Sequence, residues 1–239
     1  MKIVGIIPSR LQSTRLPRKP LHKMRGKFLV QWVYEGASSY KGFDKLLVAT
    51  DSQEIADVVH SFGGEAVLTS SYHETGSNRV YEASKDLNAD IIVNVQGDEP
   101  LIDCVVLEAL IEPLKKDKNI GMSTLKRKFD NLEDYLSPNK AKVLVDEQDR
   151  ALGFSRKWSS DEKIPPNVFH HVGLYAYRRE VLEEFSRCPR SALEIKENLE
   201  QIRILEMDVP IAVPTIFRKL IGIDTLEDVQ EFERIFDSS

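Results

Sequence analysis

Short apolar runs bounded by turn residues alternate, over the first 120 residues, with longer segments whose apolar residues recur at helical spacing. This alternation is typical of a parallel β-sheet covered by helices. The run at residues 91–95 is apolar at almost every position, as a central strand covered on both faces should be. We therefore predict an α/β fold with a mainly parallel central sheet.

The pattern changes after residue 120, where polar and apolar residues mix more and we predict a smaller mixed subregion. The predicted strands are 2–7, 45–49, 65–68, 91–95, 121–126, 141–145, 171–177 and a short edge strand at 211–214. The predicted helices are 30–39, 53–62, 78–87, 105–116, 179–186, 192–205 and 225–236. Thr225 and Asp228 form a capping pair at the start of the last helix.

The length and charge of the chain limit its partners. With 239 residues it is long enough for one large α/β domain. The net charge of −5 gives no reason to expect a nucleic acid or an anionic membrane as partner.

Cysteine content and hydropathy indicate the compartment. The two cysteines, Cys104 and Cys188, are far apart in sequence, and we expect both to be buried and reduced. No apolar stretch approaches the ~20 residues that cross a bilayer, and the N-terminal run is too short for a signal peptide. The expected location is the cytoplasm.

A basic loop follows the first predicted strand. Residues 10–19 contain the cations Arg10, Arg15, Arg18 and Lys19, and loops at the carboxyl ends of parallel strands face the ligand in open α/β sheets. Such a loop can hold a triphosphate, although a solvated basic loop would have the same composition. It matches neither a Walker motif nor a dinucleotide glycine fingerprint.

Two aspartates are candidates for a metal site. Asp98 follows the apolar run at 91–95 directly, and Asp224 lies just before the last predicted helix. Magnesium prefers one or two protein carboxylates with phosphate oxygens and waters. Taken separately, Asp98 also fits a turn and Asp224 also fits a helix start.

Seven motifs occur along the chain in one order. They are Arg15-Leu-Pro-x-Lys-Pro-Leu21, Val48-Ala-Thr-Asp51, His73-x-x-Gly-x-x-Arg79, Asn94-Val-Gln-Gly-Asp-Glu-Pro100, Phe154-Ser-Arg156, His171-x-Gly-x-Tyr175 and Leu199-Glu-Gln-x-Arg203. In this set and order the chain resembles the 3-deoxy-manno-octulosonate cytidylyltransferases, also called CMP-Kdo synthetases. The similarity extends nearly from end to end.

The resemblance implies a dimeric, magnesium-dependent enzyme that converts CTP and the acidic sugar Kdo to CMP-Kdo and diphosphate, for lipopolysaccharide biosynthesis. It implies a three-layer nucleotidyltransferase fold in a single domain. In that domain residues 1–120 bind the nucleotide, 121–214 serve sugar binding and dimerisation, and 215–239 return to the main sheet.

The resemblance also implies roles for single residues. Arg10, Ser13, Arg15 and Lys19 would hold the CTP phosphates, with Arg10 and Lys19 also catalytic, and Asp98 and Asp224 would bind magnesium. The residues that would contact the sugar are Arg79, Gln96, Arg156, His171, Tyr175, Glu200 and Gln201. Arg79 or Arg156 would form a fork on the sugar carboxylate. The sequence offers no convincing side-chain general base, so we expect the metal to acidify the attacking hydroxyl.

The chain departs from the family pattern near the expected site. Arg18 stands where the family usually has Gly, and Ser77-Asn78 replaces a Thr followed by an acidic residue. The loop at 157–167, with Lys157-Trp158-Ser159-Ser160, is shortened and lacks a Pro-Ile-Pro segment. An amino-substituted or otherwise different ulosonic acid is therefore an alternative substrate.

Two other functions also fit parts of the sequence. A metal-dependent glycosyltransferase would also place acidic residues after a central strand, but it would not need the basic loop for a γ-phosphate. A nucleotide-binding paralogue that has lost turnover would retain the fold and the loop.

Overall fold

The protein is described by a computed structural model that covers residues 1–13, 15–73, 75–158 and 163–237. It divides into two compact units. The first unit comprises Met1–Leu107 and Lys219–Ser239, and the second comprises Glu108–Arg218. The functional assignments predicted for 1–120, 121–214 and 215–239 stay predictions.

The first unit contains a parallel sheet. Its strands are β1 (Ile3–Ser9), β4 (Lys45–Thr50), β5 (Ala66–Leu68) and β6 (Ile91–Asn94), in the order β6-β1-β4-β5. All four residues of β6 are buried, as are six of the seven in β1. The apolar run on which the prediction was based is therefore a fully buried strand, and the predicted α/β class is confirmed.

Helices follow the strands of this sheet. They are α1 (Leu29–Ser38), α2 (Gln53–Ser61), α3 (Gly76–Ser84) and α9 (Leu226–Asp237), and α4 (Cys104–Lys116) crosses the boundary between the units. In α1 the buried residues Leu29, Val30, Val33 and Ala37 recur at helical spacing, so one face packs inward. The predicted capping pair of α9 is confirmed, because Thr225 N donates to Asp228 Oδ2 at 2.8 Å and Asp228 N donates to Thr225 Oγ1 at 3.3 Å.

The second unit contains a mixed sheet. Strand β10 (Val168–Arg178) pairs antiparallel with β7 (Met122–Arg127) and with β8 (Lys142–Val145). Strand β9 (Ala151–Ser155) pairs antiparallel with β8, and β11 (Ile211–Ala212) pairs parallel with β7. The helices are α5 (Leu132–Leu136), α6 (Arg179–Arg187), α7 (Ala192–Glu197) and α8 (Gln201–Glu206). The predicted mixed subregion is confirmed.

One predicted helix is wrong in detail. Residues 192–205 form two short helices, α7 and α8, because Asn198 between them has a left-handed backbone with φ of 52°. Asn is one of the few residues that adopt this conformation readily, and it commonly ends helices. Apolar periodicity continues across the break, so the sequence pattern could not reveal it.

Small elements were also missed. Strands β2 (Lys23–Met24) and β3 (Lys27–Phe28) form a hairpin whose turn residues Arg25 and Gly26 have φ of 48° and 83°, as a two-residue hairpin turn requires. Two-residue strands are too short to show a period.

The expectation that both cysteines are buried is wrong, since Cys104 is exposed and Cys188 is partly exposed; Cys104 is the first residue of α4.

Within the described part of the chain, none of the helices has both the length and the apolar character needed to span a bilayer.

Candidate active site

A pocket opens in the first unit at the carboxyl ends of β1 and β6. Its lining comes from the loop after β1, the turn after β6, the start of α3 and the segment before α9. The predicted residues that line it are Arg10, Ser13, Arg15, Lys19, Arg79, Gln96, Asp98 and Asp224. The structure thus brings together every phosphate and metal candidate and two of the sugar candidates.

Lys19 joins the two aspartates at the centre of this pocket. Its Nζ lies 2.7 Å from Asp98 Oδ2 and 3.0 Å from Asp224 Oδ1. Arg15 Nη2 lies 2.8 Å from Asp224 Oδ2. Burial alone would lower the pKa of Lys19, but the two carboxylates outweigh it and raise that pKa above its usual value. Lys19 is therefore a charged ammonium held between two carboxylates.

Backbone geometry explains why residues so far apart in sequence converge. Ile223 N donates to Asp98 O at 2.8 Å, which ties the segment before α9 to the turn after β6. A Cβ at Gly97 would lie 2.6 Å from Pro8 O, so only glycine lets this turn pack against the end of β1. Lys19 itself begins a 3₁₀ turn, Lys19–Leu21, with Pro20 buried.

Glu99, next to Asp98, is a residue that the sequence reasoning missed. The residue is partly exposed, but its carboxylate oxygen Oε2 is buried and accepts no described hydrogen bond. Burial, with the charges of Asp98 and Asp224, raises the pKa of Glu99 to about 8, although Lys19 opposes the shift. A neutral acid beside Asp98 and Asp224 limits the negative charge of the site. The only signal in the sequence was its adjacency to Asp98.

The start of α3 lines the same pocket and was not assigned a role. His73, Thr75 and Gly76 contribute to the lining, and Thr75 Oγ1 caps the helix by accepting from Asn78 N at 3.2 Å. His73 Nε2 is hydrogen-bonded to Glu82 Oε2. The start of a helix in a pocket favours anions, so the motif around Gly76 adds to the positive character supplied by the basic loop.

The two arginines proposed for the sugar carboxylate have different surroundings. Arg79 is buried, and its guanidinium lies 2.9 Å from Asp51 Oδ2 and 2.6 Å from Thr69 Oγ1. Arg156 belongs to the second unit, where its Nε donates to Glu197 O at 3.0 Å and its Nη1 to Asn139 O at 3.2 Å. Arg79 is thus paired with a carboxylate, whereas the guanidinium of Arg156 contacts neutral carbonyl oxygens.

The remaining sugar candidates form a buried group in the second unit. His171, Tyr175 and Gln201 are 5%, 6% and 1% exposed. Tyr175 Oη donates to Gln201 Oε1 at 3.3 Å, and Gln201 Nε2 lies 3.4 Å from His171 Nδ1. Glu200 immediately precedes α8. Burial and then the Glu200 charge raise the pKa of Tyr175, so the phenol stays protonated and can donate.

Burial also decides the charge of His171. It lowers the pKa of His171 to about 3, with smaller contributions from His170 and Arg156. The imidazole is therefore neutral at physiological pH.

The departures from the family pattern have partly structural explanations. Arg18 has φ of 56°, a left-handed conformation that glycine adopts without strain. Ser77 is fully buried and its Oγ accepts from Asn94 Nδ2 at 3.2 Å, so it contributes to packing. In the loop at 157–167, Trp158 packs on Gly153, while Ser159 and Ser160 lie outside the described residues.

Comparisons with known proteins give a consistent result. A sequence model of the cytidylyltransferase family matches residues 4–211. The 3-deoxy-manno-octulosonate cytidylyltransferase of Trichlorobacter lovleyi is 44% identical over 97% of this chain and 97% of that protein. The protein of the same name from Geobacter metallireducens is 43% identical over 97% of this chain and 96% of its own. A solved structure of CMP:2-keto-3-deoxy-manno-octonic acid synthetase complexed with CTP matches with a TM-score of 0.93 at 34% identity, covering 100% of this chain and 99% of that one.

Proposed function

The chain belongs to the 3-deoxy-manno-octulosonate cytidylyltransferase family, and we propose that it transfers the cytidylyl group of CTP to the anomeric hydroxyl of Kdo. The products are CMP-Kdo and diphosphate, and the activated sugar serves lipopolysaccharide biosynthesis. The observation that carries this proposal is the convergence of Asp98 and Asp224 on Lys19 in a pocket that is also lined by the basic loop. The family membership and the nucleotidyltransferase fold confirm the resemblance derived from the motifs.

The basic loop supplies the charge that a nucleoside triphosphate requires. Arg10 and Arg15 are exposed cations on the pocket wall, and the raised pKa of Lys19 keeps its ammonium charged throughout the assay range. In-line attack on the α-phosphorus mainly needs positioned reactants and neutralised phosphate charge. These three side chains would bind and orient the β- and γ-phosphates so that diphosphate leaves opposite the sugar hydroxyl.

The donor set also fits a divalent cation. Asp98 and Asp224 place oxygens from both carboxylates around one cationic atom, Lys19 Nζ, so the site already accommodates positive charge between them. Among the residues that the structure describes, no group of three or more His, Cys, Asp or Glu forms a metal cage; magnesium typically uses one or two carboxylates and completes its shell with phosphate oxygens and waters. We propose Asp98 and Asp224 as its ligands; when bound, the ion would supply charge neutralisation and lower the pKa of the attacking hydroxyl.

Contacts of the two arginines support a choice between them. The charge of Arg79 is already matched by Asp51, whereas Arg156 donates to carbonyl oxygens of Glu197 and Asn139. Among the residues that the structure describes, no carboxylate forms an ion pair with the Arg156 guanidinium, which makes it the better partner for a sugar carboxylate. We therefore propose Arg156 for that carboxylate and a positioning role for Arg79.

A diphosphate-release assay with CTP, magnesium and a panel of sugars tests the function. The panel contains Kdo, an amino-substituted Kdo, a shorter ulosonic acid and a neutral sugar 1-phosphate. We expect turnover with a ulosonic acid and loss of turnover when a chelator removes the metal. A preference for the neutral sugar phosphate would contradict the proposal, and CTP binding without diphosphate release from any sugar acid would instead favour a non-catalytic paralogue.

An amino-substituted or otherwise different ulosonic acid is the second candidate substrate. It is favoured by the shortened loop at 157–167, which departs from the family where the sugar is expected. The same panel separates it from Kdo by comparing kcat/KM. The homodimer and the cytoplasmic location stay predictions.

A further inference from the structure

Thr124 lies opposite a bulge in the strand that carries His171 and Tyr175. Strand β10 pairs with β7 so that Val172 faces Leu125 and Ala176 faces Ser123. Three residues of β10 therefore stand opposite Thr124 alone. Bulges of this kind re-aim side chains next to functional sites.

The hydroxyl of Thr124 has three polar neighbours. Thr124 is fully buried, and its Oγ1 lies 2.8 Å from Leu174 O, 3.2 Å from Val172 O and 2.8 Å from His171 Nε2. A hydroxyl has one hydrogen to donate, and both carbonyl oxygens can only accept. The hydrogen of Thr124 therefore points to a carbonyl, and Oγ1 accepts a hydrogen bond from His171 Nε2–H.

This assignment determines the next two hydrogen bonds. With the proton of a neutral imidazole on Nε2, Nδ1 of His171 is an acceptor. The amide nitrogen of Gln201, at 3.4 Å, then donates to Nδ1. The amide oxygen of Gln201 in turn accepts from Tyr175 Oη at 3.3 Å. All of these hydrogen bonds therefore point the same way: Tyr175 donates to Gln201, Gln201 to His171, His171 to Thr124, and Thr124 to a backbone carbonyl.

We propose that Thr124 is a positioning residue that holds His171 in its Nε2–H tautomer and thereby fixes the orientation of the Gln201 amide and the Tyr175 hydroxyl. The proposal rests on the proposed function in one respect, namely that these three side chains bind the acidic sugar. The opposite tautomer would reverse the direction of these hydrogen bonds. His171 Nδ1–H would donate to the amide oxygen of Gln201, and the amide nitrogen of Gln201 would turn to Tyr175. A sugar hydroxyl that donates to Tyr175 Oη would then meet a donor where it requires an acceptor.

The packing of the rings supports a defined arrangement. His171 and Tyr175 are stacked, with centroids 5.9 Å apart and planes at 29°. Gly173 lies between them in sequence, and a Cβ added there would lie 3.6 Å from Tyr175 Oη. The motif His171-x-Gly-x-Tyr175 thus keeps the phenol close to the backbone of its own strand, within reach of Gln201.

The experiment compares Thr124→Val with Thr124→Ser. Valine has nearly the shape of threonine but no hydroxyl, whereas serine retains the hydroxyl. The imidazole tautomer of His171 is measured in each protein without ligand by two-bond ¹⁵N–¹H NMR correlations, with His171→Gln used to assign the signals. KM for the preferred sugar acid and KM for CTP are measured in the same proteins.

We expect an Nε2–H signature for His171 in the wild type and in Thr124→Ser. In Thr124→Val we expect this signature to be lost or mixed, with KM for the sugar acid raised about tenfold, the equivalent of one hydrogen bond, and KM for CTP changed less than twofold. A general loss of structure would change both constants or neither.

Three results would overturn the proposal. They are an Nδ1–H tautomer in the wild type, an unchanged tautomer and sugar KM in Thr124→Val, and a Thr124→Ser protein that loses the Nε2–H signature. If Thr124→Val does not fold, the spectra of the wild type and of Thr124→Ser still show which tautomer His171 adopts and so test the proposal. Absence of diphosphate release by the wild type would defeat the proposed function alone, because the tautomer is measured in the free protein.

Discussion

Arg18 combines a conformational cost with a surface ion pair. Its φ of 56° lies in the left-handed region, which costs a non-glycine residue about 1–2 kcal/mol. Its guanidinium pairs with Glu54, and both side chains are at least half exposed, so the pair contributes at most about 1 kcal/mol. The family preference for glycine here follows from the backbone, and this chain tolerates the strained residue next to Lys19.

Replacing Arg18 with Gly and with Ala separates these two effects. Both variants lose the ion pair with Glu54, but only glycine removes the left-handed strain. We expect Arg18→Gly to be more stable than Arg18→Ala by about 1 kcal/mol, measured by urea unfolding. Equal stabilities would show that the backbone at residue 18 relaxes without cost.

Some residues of the candidate site could be predicted from the sequence, and others could not. Two of the motifs contain Lys19 and Asp98, and Asp224 was proposed from its place just before the last predicted helix; the structure brings all three together. Thr124 and Glu99 were missed, because what matters at each is a neighbour far away in sequence: the bulge in β10 for one and Asp224 for the other. Burial of a carboxyl or the direction of a hydroxyl cannot be inferred from local pattern.

At the scale of elements, an internal ion pair holds α7 and α8 together across their break. Glu194 of α7 is fully buried, and its carboxylate accepts from Arg203 Nε at 2.7 Å and Nη2 at 2.6 Å. Arg203 Nη1 donates to Phe185 O and Cys188 O. Arg203, the arginine of the last motif, therefore has a structural role: its hydrogen bonds hold α8, the helix that begins with Gln201, in place.

Removing one member of this pair should be costly. We expect Glu194→Ala to lower the free energy of unfolding by about 3–5 kcal/mol, since it leaves a buried guanidinium without its carboxylate. Arg190→Ala is the matched control, because it removes a half-buried partner of Glu194 and leaves the bidentate pair intact; its expected cost is about 1 kcal/mol or less. Similar losses in both variants would contradict a special role for the buried pair.

Helices and strands could be predicted where a clear apolar pattern or a capping pair marked them in the sequence. The parallel strands of the first unit follow from near-continuous apolar runs, and α9 follows from its capping pair. The break at Asn198, the β2–β3 hairpin and the bulge opposite Thr124 could not be read, because each depends on the backbone of one or two residues and leaves the apolar pattern unchanged. The strands of the second unit gave weaker signals, because polar and apolar residues mix in that part of the sequence.

For the molecule as a whole, the partly exposed His170 and the buried His171 make stability depend on pH. The pKa of His171 is lowered to about 3 and that of His170 to about 4, in both cases chiefly by burial. Between these values and the ordinary value near 6.5, the unfolded chain binds protons that the native protein does not bind. Stability therefore rises with pH through this window and is lost as the pH falls below about 6.5.

Substitution of His171 tests this dependence. Between pH 7.5 and pH 5 the wild type should lose about 2 kcal/mol more unfolding free energy than His171→Gln, because one group with a normal pKa in the unfolded state takes up a proton over about 1.5 pH units. Urea unfolding at both pH values measures the difference. Glutamine itself lowers stability at every pH, so only the change between the two pH values matters, and an identical change in both proteins would contradict the buried neutral state.

We propose that Asp98 and Asp224 act as one unit on the phosphates of CTP. A double-mutant cycle of Asp98→Asn and Asp224→Asn, read as kcat/KM for diphosphate release with magnesium and the preferred sugar acid, tests it most directly. We expect each single variant to lose at least about a hundredfold and the double variant to lose little more than either, because groups that work together are not additive. Losses that multiply in the double variant, or a single variant within tenfold of the wild type, would show that the two aspartates do not act together.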